Sequence, residues 1–89
     1  MATVVFTQHL KGLAPPTPVK VSAGDLKGAL DEVFAALPRL RGYVLDEQRR
    51  LRRHVNIFVD GRRVTDRDSL AVAIGPHSEI YVMQALSGG

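Results

Sequence analysis

The sequence contains no cysteine. This absence excludes a disulfide, a thiolate metal site and a cysteine nucleophile within the chain, so any sulfur chemistry must use another group. The sequence also has no run that approaches the roughly 20 apolar residues needed to cross a bilayer. Its start, Met1–Phe6, has no basic region followed by a long apolar stretch. We therefore expect no secretory signal, no membrane contact and a cytoplasmic location.

The charge of the chain is modest and local. Eighty-nine residues allow one small domain with a compact core. The formal net charge is +3, and residues 39–54 hold six of the arginines. A nucleic-acid surface would need aromatic side chains interleaved with the Arg49–Arg53 cluster, and the acids Asp46 and Glu47 lie beside it. We expect this cluster to be a solvated face or a contact with an acidic partner, without a role in binding nucleic acid.

Patterns typical of enzymes and metal sites are missing. His9, His54 and His77 share no ligand-type spacing, so no metal site is expected. Asp66 and Asp68 could act as paired carboxylates, but solvation or capping is the usual role of acids in a polar turn. The chain also lacks a nucleophile–base pair and a phosphate-cradling glycine loop. We do not expect an enzyme.

Apolar periodicity predicts one main helix and five strands. Leu26, Leu30, Val33 and Leu37 recur at helical spacing, which predicts a helix over Leu26–Leu37. Asp25 is the expected N-cap, and the helix should end before the proline at position 38. The strands are predicted at residues 3–8, 19–21, 55–59, 62–64 and 79–86.

The connections are less regular. A proline-rich loop is expected at 9–18, and 39–54 is interpreted as a connecting arm that could include a short helical turn. Asp60-Gly61 is a hairpin-turn signal. The apolar segment Leu70–Ile74 is interpreted as a short helical or 3₁₀ turn. Alternation places Val55, Ile57, Val59, Ile80 and Val82 inward, with Phe58, Tyr81 and Met83 on the opposite face.

The chain finishes with Ser87-Gly88-Gly89, which we call the tail. Two terminal glycines bury no side chain, and each loses more backbone entropy on ordering than any other residue. Such a tail should be flexible, and it offers a carboxylate without neighbouring side chains that could enter a narrow opening in another protein. The alternative is a frayed terminus or a remnant of an expression vector.

The predicted order of elements is α+β, with a mixed sheet and one main helix packed across it. This order, the Asp-Gly hairpin and the Gly-Gly terminus resemble the ubiquitin-like β-grasp fold. More narrowly, the chain resembles the MoaD/ThiS sulfur-carrier family, and its motifs are most similar to those of the cysteine-biosynthesis sulfur carriers. The similar segments are Arg53–Val59, Leu70–Ile74 and Ala85–Gly89.

The resemblance implies a single β-grasp domain over 1–86 and a flexible Gly-Gly tail over 87–89. It also implies that an ATP-dependent activating adenylyltransferase joins the carboxylate of Gly89 to AMP. A sulfide or a persulfide from a donor enzyme then displaces AMP and leaves a thiocarboxylate, whose sulfur passes to a biosynthetic acceptor enzyme. The carrier itself would bind no cofactor, because the partner uses the ATP. Gly88 and Gly89 would suit a tight channel, since neither has a Cβ.

An exposed sheet face is the predicted partner surface. Phe58 and Met83 should point outward from neighbouring strands, and Leu86 and Ser87 lead into the tail. Apolar side chains gathered on a surface commonly mark an interface, although Phe58 could also be an ordinary half-buried residue. Two other functions remain open: a ubiquitin-like modifier conjugated to lysines through Gly89, and a β-grasp interaction module with an inert tail.

Overall fold

A computed structural model of the chain describes residues 1–6 and 18–84, the last of them by its backbone alone. The predicted loop at 9–18 therefore lies almost entirely outside the described residues, as do the ends of the predicted first and last strands. The elements are β1 (Ala2–Phe6), β2 (Val19–Val21), α1 (Leu26–Ala36), α2 (Pro38–Val44), β3 (Val55–Val59), β4 (Arg62–Arg63) and β5 (Glu79–Gln84).

The strands form one mixed sheet in the order β2-β1-β5-β3-β4. The last strand lies at the centre, parallel to β1 and antiparallel to β3. The alternation predicted for β3 and β5 is confirmed, because Val55, Ile57, Val59, Ile80 and Val82 are all buried. These side chains and the apolar face of α1 form one core, so the sheet has a covered face and an outer face.

The predicted main helix is confirmed as α1. Asp25 is its N-cap, and its Oδ1 accepts a 2.8 Å hydrogen bond from the backbone N–H of Gly28. A Cβ at position 28 would lie 2.9 Å from both that oxygen and the Cβ of Ala23, so this cap requires glycine there. The helix ends at Ala36, and Leu37 serves as its C-cap.

The arm after α1 contains a complete second helix, longer than the single turn that the sequence suggested. The proline that ends α1 opens α2, because the first turn of a helix needs no N–H from that residue. Leu40 and Val44, four residues apart, are buried. A seven-residue helix with two apolar positions is too short to give a recognisable period. Among the described residues, no helix is long and apolar enough to cross a membrane.

The helical turn predicted at Leu70–Ile74 is wrong. The segment is irregular, and Ala73 makes an antiparallel bridge with Asp25. Val72 O accepts a 2.8 Å hydrogen bond from the N–H of Leu26, and the N–H of Ile74 donates to Gly24 O at 3.0 Å. The segment therefore pairs with the entry to α1, which satisfies its backbone without helical bonds. Asp25 and Ala73 are far apart in the sequence, so their pairing produces no periodic pattern within Leu70–Ile74.

The predicted Asp-Gly hairpin between β3 and β4 is confirmed. Asp60 and Gly61 have φ angles of 50° and 84°, and a type I′ turn requires positive φ at both central residues. The N–H of Val64 donates to Ile57 O at 2.8 Å, which continues the pairing beyond β4.

Candidate interaction site at the end of the last strand

β5 is the last described element before the tail, and its end is paired with β3. Gln84 pairs with Val55 of β3, and on the other side Val82 pairs with Phe6 of β1. β5 is therefore paired on both sides up to Val82, and its last two residues pair with β3. The predicted site residues that follow it lie outside the described residues, and their roles stay predictions; they are Leu86, Ser87, Gly88 and Gly89.

The outer face of the sheet brings the other two predicted site residues together. Phe58 lies opposite Tyr81, and Tyr81 lies opposite Val5 on its other side. Met83 is two residues further along β5. Val5 and Phe58 are half-buried, whereas Tyr81 and Met83 are each 38% exposed. We call these four residues the outer patch; it spans three neighbouring strands. Val5 was missed from the sequence, although its place in an alternating run could have indicated it.

The edge of β3 is open at its first residue. Backbone groups of Ile57 point toward β4, as the bond from the N–H of Val64 shows. Val55, two residues earlier, faces the same way, since alternate residues of a strand bond to the same side. β4 pairs only with Phe58 and Val59, so it is too short to supply a partner for Val55. Its carbonyl therefore needs a donor from elsewhere.

Arg67 supplies that donor. Its Nη2 donates to Val55 O at 2.7 Å and also to the carbonyl oxygen of Arg52. Its Nη1 donates to Asn56 Oδ1 at 3.3 Å. A guanidinium offers several N–H groups in a fixed plane, so one side chain can hold the turn before β3 and the first residue of the strand. Nothing in the local sequence indicated this role, because its acceptors lie 11 to 15 residues away.

Basic side chains surround this position. They line an open cleft of about 490 Å³ beside the start of β3. Arg52 Nε donates to Gly42 O at 2.7 Å and so ties the cleft to α2. Arg50 Nε lies 3.5 Å from Asp46 Oδ2. The residues that line the cleft are Asp46, Arg50, Leu51, Arg52, Arg53, His54, Arg67 and Asp68. Some arginines of the Arg49–Arg53 cluster therefore make contacts within the fold. The sequence predicted only a solvated face or a contact with an acidic partner.

The loop that carries this cluster is organised by Asp46. Its Oδ1 accepts hydrogen bonds of 2.9 Å from the backbone N–H groups of Arg50 and Gln48. The bond from Arg50 is the main reason that the pKa of the Asp46 carboxyl lies below its ordinary value. The turn places Arg49 in the left-handed region, with φ of 65°.

Asp66 acts as a backbone cap. Its Oδ2 accepts a 2.6 Å hydrogen bond from the Ser69 hydroxyl and a 3.1 Å bond from the N–H of Ala71. These bonds, the Ser69 hydroxyl first, lower the pKa of the Asp66 carboxyl to about 2. A general acid works best with a pKa near the operating pH, so Asp66 is unsuited to that role. Within 1–6 and 18–84, no group of three histidines and acids is arranged to hold a metal ion.

Asp60 joins the hairpin to the start of β5. Its Oδ1 accepts a 2.8 Å hydrogen bond from the N–H of Glu79, and its Oδ2 accepts a 2.9 Å bond from the buried Ser78 hydroxyl. The two bonds, Glu79 first, hold the pKa of the Asp60 carboxyl below its ordinary value. This carboxylate is therefore also used by the fold.

Comparison with known proteins identifies the architecture. No protein-family model matches the sequence, and no curated protein sequence gives a significant match. Solved structures do match. CysO of Mycobacterium tuberculosis, described as an antigen, is 22% identical with a TM-score of 0.82, over 97% of this chain and 100% of that one. A chain of the BexX/CysO complex of Amycolatopsis orientalis is 18% identical with a TM-score of 0.80, over the whole of both chains.

A third match comes from the archaea. The small archaeal modifier protein 1 of Haloferax volcanii is 23% identical with a TM-score of 0.78, over 99% of this chain and 98% of that one. The matches span nearly the full length of both chains, and the mixed sheet and covering helix agree with the arrangement that the sequence predicted. The chain therefore has the ubiquitin-like β-grasp fold, in common with CysO and the small archaeal modifier protein.

Proposed function

We propose that this protein is a sulfur carrier of the MoaD/ThiS type, acting as a co-substrate of partner enzymes in the cytoplasm. The observation that carries the proposal is the central place of β5, the strand that Ala85, Leu86 and the tail follow in the sequence. A central strand gives the residues after it a fixed starting point, and two terminal glycines place no side chain beside the carboxylate. The fold shared with CysO supports the same role.

The chemistry begins at the carboxylate of Gly89. A free α-carboxylate is an anion at neutral pH and resists nucleophiles, so it must be activated. One carboxylate oxygen attacks the α-phosphorus of ATP and releases pyrophosphate, which leaves an acyl-adenylate. Hydrosulfide then attacks the carbonyl carbon and expels AMP, giving a thiocarboxylate and one proton. With a persulfide donor, the product is an acyl disulfide, and a second thiol must cleave its S–S bond. The sulfur is finally donated in cofactor or cysteine biosynthesis.

The outer patch is the proposed contact with the activating enzyme. Phe58 lies on β3 and Met83 on β5. These strands are neighbours, and β5 is the strand that precedes the tail. An enzyme that engages Gly89 would therefore reach this face with little rearrangement. The BexX/CysO complex supports the idea that a chain of this fold binds another protein.

Isotope exchange between pyrophosphate and ATP tests the activation step. The chain ending at Gly89 is mixed with the adenylyltransferase of its own organism, ATP and labelled pyrophosphate. We expect exchange that depends on this chain, and no exchange when one residue is added after Gly89. Circular dichroism should show the same fold for both proteins. The proposal fails if the wild-type chain supports no exchange, or if the extended chain supports it equally.

A second candidate function is a ubiquitin-like protein modifier. The match to the small archaeal modifier protein favours it, and the adenylation step is the same. The two functions differ in the nucleophile that displaces AMP, which is a sulfur donor for the carrier and a lysine amine for the modifier. Mass spectrometry of tryptic peptides from the native host separates them. Arg67 is the last tryptic site of the chain, so a conjugate would carry the whole peptide Asp68–Gly89 on a lysine, and such branched peptides would favour the modifier.

A further inference from the structure

The cleft beside the start of β3 holds positive charge that the fold does not neutralise. Arg52 and Arg67 donate hydrogen bonds to backbone carbonyl oxygens, which carry no net charge. Arg53 and His54 are exposed, and neither makes a hydrogen bond or ion pair with a described residue. Among the acids that line the cleft, Asp46 forms an ion pair with Arg50. The cleft is therefore lined by more guanidinium groups than carboxylates: Arg50, Arg52, Arg53 and Arg67 against Asp46 and Asp68.

The cleft also lies beside Gln84, the last described residue of β5. Arg53 and His54 immediately precede Val55, the partner of Gln84 at the end of β5. The five residues from Ala85 to Gly89 can span at most about 18 Å when fully extended. A protein that engages Gly89 must therefore come within about this distance of the end of β5, beside the cleft.

We propose that this basic cleft docks an acidic surface of the protein that engages Gly89. The inference rests on the proposed function and adds the chemistry of the partner. Guanidinium groups pair with carboxylates in a planar, two-bonded geometry, which favours Asp and Glu side chains as the ligands. Opposite charges around the point of entry would also speed the encounter of the two proteins. Binding to single-stranded nucleic acid is disfavoured, because the cleft lining has no Phe, Tyr or Trp on which bases could stack.

Charge reversal at Arg53 tests the docking surface without disturbing the fold. Arg53→Glu removes no bond to a described residue. Arg62→Glu is the matched control, since Arg62 is also exposed but pairs with Val59, about 13 Å along β3 from Val55. In the pyrophosphate-exchange assay, Arg53→Glu should raise the KM for this chain about tenfold with little change in kcat. Salt screens charge contacts, so the KM of the wild-type chain should rise between about 50 and 300 mM salt, and it should rise less for Arg53→Glu. Arg62→Glu should change the KM less than about twofold. Equal effects of the two variants would overturn the proposal.

A titration that needs no enzyme separates this proposal from the proposed function. The ¹⁵N-labelled protein is titrated with poly-L-glutamate and, separately, with a single-stranded DNA oligonucleotide of equal charge. We expect poly-L-glutamate to shift the amide signals of residues 52–55 and 67, and these shifts should be lost in Arg53→Glu. Shifts centred on Arg62 and Arg63, or tighter binding of the oligonucleotide to the cleft, would overturn the docking proposal. If the wild-type chain fails in the exchange assay, the proposed function falls, while this titration still decides whether the cleft binds carboxylates.

Discussion

The guanidinium of Arg67 donates a 2.7 Å hydrogen bond to the backbone carbonyl of Val55. Val55 is the residue of β3 that pairs with Gln84, the end of the central strand. One side chain from the loop after β4 thus replaces a missing ladder bond at the residue that pairs with the last described residue of β5.

Arg67→Met should destabilise the protein by about 2 to 3 kcal/mol. Methionine keeps much of the side-chain length but leaves the carbonyls of Arg52 and Val55 without their donor, and an unsatisfied buried acceptor has a cost of this size. Urea unfolding followed by circular dichroism measures the change. Arg62→Met, at an exposed site whose side chain makes no described hydrogen bond, should stay within about 0.5 kcal/mol of the wild type. Equal midpoints for the two variants would remove the structural role assigned to Arg67.

Two glycines should respond to alanine with opposite signs. Gly42 lies on the exposed side of α2 with open space where an alanine methyl would lie, so Gly42→Ala should stabilise the protein by about 0.5 to 1 kcal/mol. Gly61 also has open space, but its φ of 84° is costly for alanine, so Gly61→Ala should destabilise it by about 1 to 2 kcal/mol. Thermal unfolding of both variants gives the comparison. Shifts of the same sign would contradict the turn geometry.

Asp66 predicts part of the acid sensitivity of the fold. The folded-state pKa of about 2 lies below the value of about 3.9 for an unfolded chain, so the ionised carboxylate favours the folded state. This contribution is complete above about pH 4 and is lost as the pH falls toward 2. Asp66→Asn should therefore be less stable than the wild type at pH 7, with a smaller difference at pH 2.

Urea unfolding at several pH values measures this dependence. Asp31→Asn is the control, because Asp31 is exposed and accepts no described side-chain hydrogen bond; it should follow the wild-type curve. Acid sensitivity will not vanish in Asp66→Asn, since the pKa values of Asp46 and Asp60 are also lowered. A stability difference between Asp66→Asn and the wild type that is unchanged down to pH 2 would count against the assigned cap.

The outer patch can be tested with two tyrosines of similar exposure. Tyr81, in the patch, is 38% exposed, and Tyr43, on α2, is 41% exposed. Tyr81→Ala should raise the KM for this chain in the exchange assay about tenfold, the size expected for one aromatic contact of an interface. Tyr43→Ala should change it less than about twofold. A larger effect at Tyr43 would place the enzyme contact on the helical side of the molecule.

Local patterns account for the parts of the fold that were predicted correctly. The face of α1, its Asp25 cap, the Asp60-Gly61 turn and the alternation in β3 and β5 each depend on residues within a few positions of one another. The strand order could be expected only through the resemblance to a known fold.

Distant pairings account for the errors. Leu70–Ile74 looked helical because its apolar residues are contiguous, and the pairing of Ala73 with Asp25 leaves no mark on that stretch. Arg67 looked like part of a polar turn, because the carbonyls it holds belong to residues 52 and 55. The tail was identified from its composition, and its role rests on chemistry outside the described residues.

Intact-protein mass spectrometry tests the central claim most directly. The chain ending at Gly89 is incubated with its adenylyltransferase, ATP and sulfide, alongside Gly89→Ala and a chain with one residue added after Gly89. The wild-type chain should gain about 16 Da, because sulfur replaces one oxygen of the terminal carboxylate. The two variants should keep their starting mass while their circular dichroism spectra remain those of the wild type. No gain in the wild-type chain, or the same gain in both variants, would contradict the assignment of Gly89 as the reacting group.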